Sequence, residues 1–600
     1  MKRVYTILIL TASMILLVAL NSCKKDFLEK NPLGSLNEST LATNAGVNGL
    51  LIGAYSLLDN DGTAGGGWPS GKWIFGGVAS DDAHTGTTAS ALQPVPLYEN
   101  YTDNATTTSV NSKWMVLYSG VQRANDVLRL LPKISETNLP AAQAEQIKAE
   151  AMFLRGYYHL EAALMWKNIP YVDESVSFAN DNYVVGNETS AWPKIEADFQ
   201  FAADKLTPTK TQAGRANSWA SKAFLVKTYM FEHKYTEAKT LLDNIIPNGV
   251  TANGKKYALL DHYHDNFDPA KKNSSESVFA CQMSVNDGAS GANGTASNGT
   301  GHAGPYGGPY PSYGFYQPSF SLVNSYKTDP VTGLPLLDTF NDVDVKNDEG
   351  ISSTDSFIPY DGTLDPRLDW TVSRRGIPLL DWGVMPGQAW VRQQNVAGPY
   401  LSIKSANPQS EAAAREAGGS NSTAVNDNLI RFADVLLWAA EVETEVGNLD
   451  KAQTYVNQVR ARAANPAGWV YTYINNSDPL KGVTNIPAAN YKAGLYTVGQ
   501  FALNGQDYAR KAVRFERKLE LAMEGHRFFD LQRYDNGTGY MADVLNAYIL
   551  HETTIAGYNF NYMVGAKFTK GKNEIYPIPQ PQVDLSVVNG TPKLKQNPNY

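Results

Sequence analysis

Cysteine is nearly missing. The 600 residues contain two, Cys23 and Cys281, which excludes a disulfide framework and leaves Cys281 as a small buried hydrophobe. Histidine is also scarce, at eight residues. His551-Glu552-Thr553-Thr554 lacks the second histidine of a zinc-protease helix, and His262-Tyr263-His264-Asp265 reads as a solvated loop rather than a metal site. Asp342, Asp344, Asn347 and Asp348 resemble a calcium loop only loosely, because Lys346 occupies a ligand-like slot. No glycine-rich phosphate loop follows a strand and no serine elbow appears. Charged residues make up only 18% of the chain, below the usual quarter. A basic excess is absent too. The net charge is -8, and -10 once Lys2 and Arg3 leave with a leader (49 basic against 59 acidic). That argues against nucleic acid as a partner and against electrostatic docking on an anionic membrane. Past the N-terminus no apolar run is long enough to cross a bilayer.

The leader itself is present. Lys2 and Arg3 precede an uncharged apolar run, Thr6 to Leu20, that suits the core of a signal peptide. It ends in Leu20-Asn21-Ser22-Cys23, which resembles a bacterial lipobox. Cys23 is therefore the expected lipid attachment site, with residues 1–22 removed. Three acyl chains would exceed the two-signal threshold for stable anchoring.

Aromatic and small residues are abundant: 33 Tyr, 11 Trp and 49 Gly. Tyrosine offers wide contact at low rotamer cost, and glycine lets loops adapt, a pairing typical of recognition surfaces.

Helical periodicity dominates in blocks. Helices are expected over Glu38–Leu58, Thr107–Leu131, Ala141–Trp166 and Trp192–Leu206, the last with Pro193 near its start. Arg215–Ile246 reads as a helical hairpin turning at His233-Lys234-Tyr235. Asp427–Ala463 reads as a second, turning at Gly447-Asn448. Both resemble tetratricopeptide repeats, whose small residues let antiparallel helices approach closely. From Thr251 to Asn426 helical signals fade and Gly, Pro, Ser and Asn rise, with short strand-like runs such as Ser277–Ala280 and Trp370–Val372. The expected class is mainly α, a tetratricopeptide-like scaffold with an irregular, loop-rich second lobe. Six hundred residues exceed one core, so division into lobes is expected: 23–250, 251–426 and 427–600.

Three blocks resemble the SusD/RagB family. One is Leu429-Ile430-Arg431-Phe432-Ala433-Asp434-Val435-Leu436-Leu437-Trp438-Ala439-Ala440-Glu441, followed by Val456-Asn457-Gln458-Val459-Arg460-Ala461-Arg462. Another runs from Glu516 to Tyr534 and contains Leu519-Glu520-Leu521-Ala522-Met523-Glu524-Gly525-His526-Arg527-Phe528-Phe529-Asp530. The last is Tyr576-Pro577-Ile578-Pro579 with Leu594-Lys595-Gln596-Asn597-Pro598-Asn599-Tyr600. Asp365-Pro366-Arg367-Leu368 is also typical. The resemblance implies a surface lipoprotein of the bacterial outer membrane, without enzymatic activity or cofactor. It also implies capture of an oligosaccharide or a peptide above a SusC-like TonB-dependent transporter.

The Glu516–Tyr534 block places Glu520, Glu524, Arg527 and Asp530 at helical neighbour spacing on a helix apolar on several sides. Its charges are expected to pair with each other and with Arg431 or Arg460. The alternative, that Glu520 and Glu524 are the acid and base of a surface glycoside hydrolase, suits the chemistry poorly, because such carboxylates must flank the scissile bond. A further alternative is a repeat scaffold with no ligand of its own. Ligand contacts are expected instead from aromatic rings, on which the C–H face of a pyranose stacks, with polar groups beside them. Tyr306, Tyr310, Tyr313 and Tyr316 lie in one Gly/Pro-rich stretch. Trp68, Trp73, Asp81 and Asp82, with Ser80 and His84 nearby, lie in another. Trp382 and Trp390 are further candidates.

Overall fold

The computed structural model describes residues 41–58, 71–88, 94–288, 303–310, 312–415, 423–555 and 563–600. Its framework is helical. α1 (Asn44–Tyr55) starts at Thr43, whose side chain accepts the Gly46 N–H and so satisfies one orphan donor of the first turn. α2 (Thr108–Leu130), α3 (Ala141–Trp166), α4 (Trp192–Lys205), α5 (Ser218–Phe231) and α6 (Tyr235–Asn248) follow. Pro193 sits in the first turn of α4, and Asn217 caps α5 by accepting the Ala220 N–H. From α2 to α6 each helix packs on the next. α7 (Phe432–Glu445) and α8 (Leu449–Ala464) make a second hairpin. α6 packs on α7 although residues 249–431 intervene. Across that seam Lys239 pairs with Glu443, and Lys451 lies 2.7 Å from Glu443 and 2.9 Å from Asp243. Ala223, Ala238, Ala440 and Ala452 are all buried, which is how small residues let the paired helices approach. The two hairpin turns use left-handed residues, His233 (φ 57°) and Gly447 (φ 85°).

Three expectations are corrected. The second hairpin does not begin at Asp427: Asp427–Arg431 is a strand, β4, paired antiparallel with β2 (Ser277–Cys281). Its partner lies far back in the chain, where local periodicity cannot register it. Trp370 and Thr371 belong to a helical turn, Leu368–Thr371, and the strand begins only at Val372. The Glu516–Tyr534 block is not one helix. α9 (Gln506–Leu521) stops, and α10 (Arg527–Asp535) starts after a break in which Met523 (φ 63°) and Gly525 (φ 76°) are left-handed. The cause is tertiary. Asp82 accepts the Met523 N–H at 3.1 Å. A π-helical turn, Trp73–Val78, presses so close that a Cβ on Gly76 would stand 1.8 Å from the Gly525 carbonyl oxygen.

β1 (Ala83–Gly86) pairs antiparallel with β3 (Phe315–Pro318), Ala83 opposite Pro318 and Gly86 opposite Phe315. The remaining sheets among the described residues are also two-stranded. α11 (Tyr540–Thr554) follows α10, and a short helix, Gln580–Leu585, lies in the C-terminal segment. One continuous apolar core draws on the N-terminal helices, the middle segment and the C-terminal helices alike. The C-terminal segment straps the scaffold. Tyr576 N–H donates to the Met165 carbonyl, Trp166 Nε1 to the Pro577 carbonyl, and Asn597 Nδ2 to the carbonyls of Trp166 and Tyr576. Among the described residues no helix is long and apolar enough to cross a membrane.

Candidate functional site

The residues of the quoted blocks converge on one buried ion network. Arg431 Nη1 lies 3.0 Å from Glu276 and 2.5 Å from Glu520, and its Nη2 lies 2.9 Å from Glu524. Arg462 pairs with Glu276 and Glu520, and Arg460 with Glu516 at 2.8 Å. Arg367 reaches Asp365, Glu516 and Glu520 at 2.7–2.9 Å, and Lys404 reaches Glu524 at 2.7 Å. Four arginines and a lysine thus face five carboxylates, all buried, so the desolvation of each charge is matched by several partners. Burial alone would raise the Glu520 carboxyl, but the guanidinium groups of Arg462, Arg431 and Arg367 hold it well below the usual carboxylate range. Burial likewise opposes ionisation of Glu524, and Arg431 and Lys404 bring it down to about 2. A general acid must keep its proton near working pH. These two glutamates, ionised and enclosed, do not form an acid/base pair; they tie the middle segment to the helices. Arg431 and Arg460 are among the expected partners, Arg367 and Arg462 are additions, and Arg527 turns instead to Asp81.

The candidate ligand residues divide sharply. Cys23 and Trp68 lie outside the described residues. Trp73, Asp81, Asp82, Tyr310 and Tyr316 are interior, so in this structure they pack rather than present a surface. Asp81 is held by Lys518 (2.8 Å) and Arg527 (2.6 Å). Asp82 is raised to about 7 by burial and by the neighbouring Asp81 charge. Trp73 packs on Tyr316 with ring centres 5.6 Å apart, and Tyr310 on Trp382 at 5.0 Å. Ser80 and His84 are buried too. His84 bridges Glu99 (2.6 Å) and Glu552 (3.0 Å). Burial would lower its pKa, but hydrogen bonds to Glu552 and Glu99 raise it to about 9. His264, read from sequence as solvated, is buried and stacked on Trp370, ring centres 4.8 Å apart. Burial pushes it down to about 3. Among the described residues no group of three or more His, Cys, Asp or Glu is placed to hold a metal ion.

Tyr306 and Tyr313 are the exceptions, 51% and 47% exposed. Their loop is fixed from below. The Tyr306 N–H donates to the Trp390 carbonyl at 2.9 Å, and the Thr87 N–H to the Gly314 carbonyl at 2.7 Å. Gly307 packs so tightly that a Cβ there would stand 2.2 Å from the Ala389 carbonyl oxygen. Gly314 (φ 70°) lies between the Cβ atoms of Arg392 and Tyr306. Arg392 completes the face, its guanidinium 4.5 Å from the centre of the Tyr306 ring and its Nη1 donating to Thr87 Oγ1 at 2.8 Å. Gln393 and Asn395 are exposed beside it. Arg392 and Thr87 are not singled out by the sequence reading; the one available signal is that Arg392 is the sole charged residue between Trp382 and Tyr400. The exposed Tyr306 ring with the Arg392 guanidinium over it, and Tyr313 exposed on the same loop, are fitted for stacking and hydrogen bonding.

Comparison with known proteins places the chain. A family model described as "SusD family" matches residues 275–600, and one described as "Starch-binding associating with outer membrane" matches residues 26–230. The chain is 24% identical over 545 residues to SusD-like protein P25 of Formosa agariphila, covering 87% of this chain and 88% of the relative. A solved "Laminarin binding SusD-like protein" is similar with a TM-score of 0.63 at 21% identity, covering 93% of this chain and all of the other. Surface glycan-binding protein A from Bacteroides thetaiotaomicron in complex with laminarihexaose aligns with a TM-score of 0.59 at 19% identity, over 93% of this chain and all of that one. The chain belongs to the SusD/RagB family.

Proposed function

We propose that this chain is a non-enzymatic capture protein of the outer membrane. It is anchored through lipidated Cys23, faces outward, takes an oligosaccharide onto the Tyr306–Tyr313–Arg392 face, and delivers it to a SusC-like TonB-dependent transporter. The observation that carries the reading is the pair of half-exposed tyrosine rings on a loop pinned by Trp390, Ala389 and Thr87. A ring held in place before the ligand arrives loses little entropy on contact. The names of the relatives supply the class of ligand: laminarin for one solved structure, laminarihexaose for another. Trp382 and Trp390 are further proposed contacts, and Trp68, outside the described residues, remains a proposed ligand residue from sequence.

Isothermal titration of the purified chain against a panel of glycans and peptides is the test. Saturable binding of at least one glycan supports the reading. Binding of peptides alone would move the ligand to the other class, and folded protein that binds nothing would leave only the scaffold role. For the anchor, Cys23→Ala should release the chain from the membrane fraction. For the partner, a barrel transporter should co-purify with the wild-type chain.

A further inference from the structure

The charge on the capture face is unusual for this chain. Residues 303–318 and 382–400 together contain one formally charged residue, Arg392, while the whole chain carries -8. Neither stretch contains an aspartate or glutamate. Arg392 has no carboxylate partner among the described residues; Thr87 Oγ1 and the Tyr306 ring are its contacts. By contrast, Arg367, Arg431, Arg460, Arg462, Arg517 and Arg533 each pair with at least one carboxylate. Removing a cation from water without a counter-charge is costly. Sugar hydroxyls donate protons as well as accept them, and neither stretch has a carboxylate to receive them.

We infer that the captured oligosaccharide is acidic, carrying carboxylate or sulfate groups that pair with Arg392 while its sugar rings stack on Tyr306 and Tyr313. The inference rests on the capture reading above. Planar guanidinium matches a carboxylate or sulfate through two parallel N–H bonds, and such charge-assisted bonds are roughly twice as strong as neutral ones.

The test compares charged and neutral members of matched pairs by titration calorimetry. One pair is an oligogalacturonate and its carboxyl-reduced form, and the other a sulfated galactan oligosaccharide and its desulfated form. The charged member of one pair should bind about tenfold more tightly, the scale of one charge-assisted bond; whichever pair shows the preference tells carboxylate from sulfate. Arg392→Gln should bring the ratio towards one, and Arg392→Lys, which keeps the charge but loses the fork, should keep part of it. Equal affinity for both members of both pairs overturns the inference and leaves glycan capture standing. So does a preference that Arg392→Gln leaves intact. Failure of every glycan to bind sinks the capture reading itself. Should Arg392→Gln not fold, the wild-type ratio decides alone.

Discussion

Tyr306 and Tyr310 stand four residues apart in one loop and do opposite work. The first is half-exposed beneath Arg392; the second is 3% exposed against Trp382. Tyr306→Ala should therefore weaken glycan binding by about 0.5–1.5 kcal/mol with little change in stability, whereas Tyr310→Ala should cost about 3 kcal/mol of stability through lost packing. Calorimetric titration and denaturant melts separate the two. Composition made the aromatic loop legible, but not which rings turn outward. That depends on Trp382, Trp390 and Arg392, more than 70 residues on, and single-sequence patterns carry no such information. The burial of Asp81 and Asp82 is hidden from sequence for the same reason, since Lys518, Arg527 and the Met523 N–H lie more than 400 residues downstream. His84 makes a separate prediction. Its folded pKa of about 9 lies above the ordinary 6.5. Its contribution is thus complete below about pH 6.5 and is lost as the pH rises through 9, a decline of about 3 kcal/mol. Glu552, held near 2, acts in the opposite sense: its contribution is complete above its ordinary 4.5 and is lost as the pH falls through 2. Denaturation series from pH 6 to 10 should show the alkaline decline in wild type. His84→Gln should be less stable at pH 6 and lack that slope.

Helices were the readable elements. α3 runs over the expected residues, α2 is a residue shorter at each end and α4 a residue shorter at its C-terminus, because periodicity, capping residues and Pro193 all act within a few positions. The break between α9 and α10 was not readable. Ala522–His526 continues an apolar helical pattern, and what stops it is the close approach of the Gly76 turn and the Asp82 carboxylate. Gly525 is the tell-tale residue, left-handed at φ 76°, with any added Cβ 3.0 Å from the Lys72 carbonyl oxygen. Gly525→Ala should destabilise the protein by about 1–2 kcal/mol from conformation alone, and more from the contact. Urea midpoints measured at unchanged slope would check it. A neutral result would mean that the break tolerates a side chain and is not fixed by Gly76.

At the scale of the molecule, the ion network and the helical array divide the labour of assembly. Glu520 receives guanidinium groups from β4, α8 and the Asp365–Arg367 turn, so one carboxylate on α9 joins the middle segment to α8. Glu520→Gln leaves three arginines short of a charge, and the cost expected for breaking a buried pair is about 3–5 kcal/mol. A two-state denaturant curve would measure it, and an unchanged midpoint would show that the remaining carboxylates suffice. The seam between α6 and α7 has a different consequence. Because those helices touch, the 249–431 excursion leaves and rejoins the array at one place, like a long loop with its ends already closed. Lengthening such a loop is cheap, each doubling costing only about 0.6 kcal/mol in closure entropy. Insertions and deletions there can reshape the surface that this excursion presents while the helical array keeps its register.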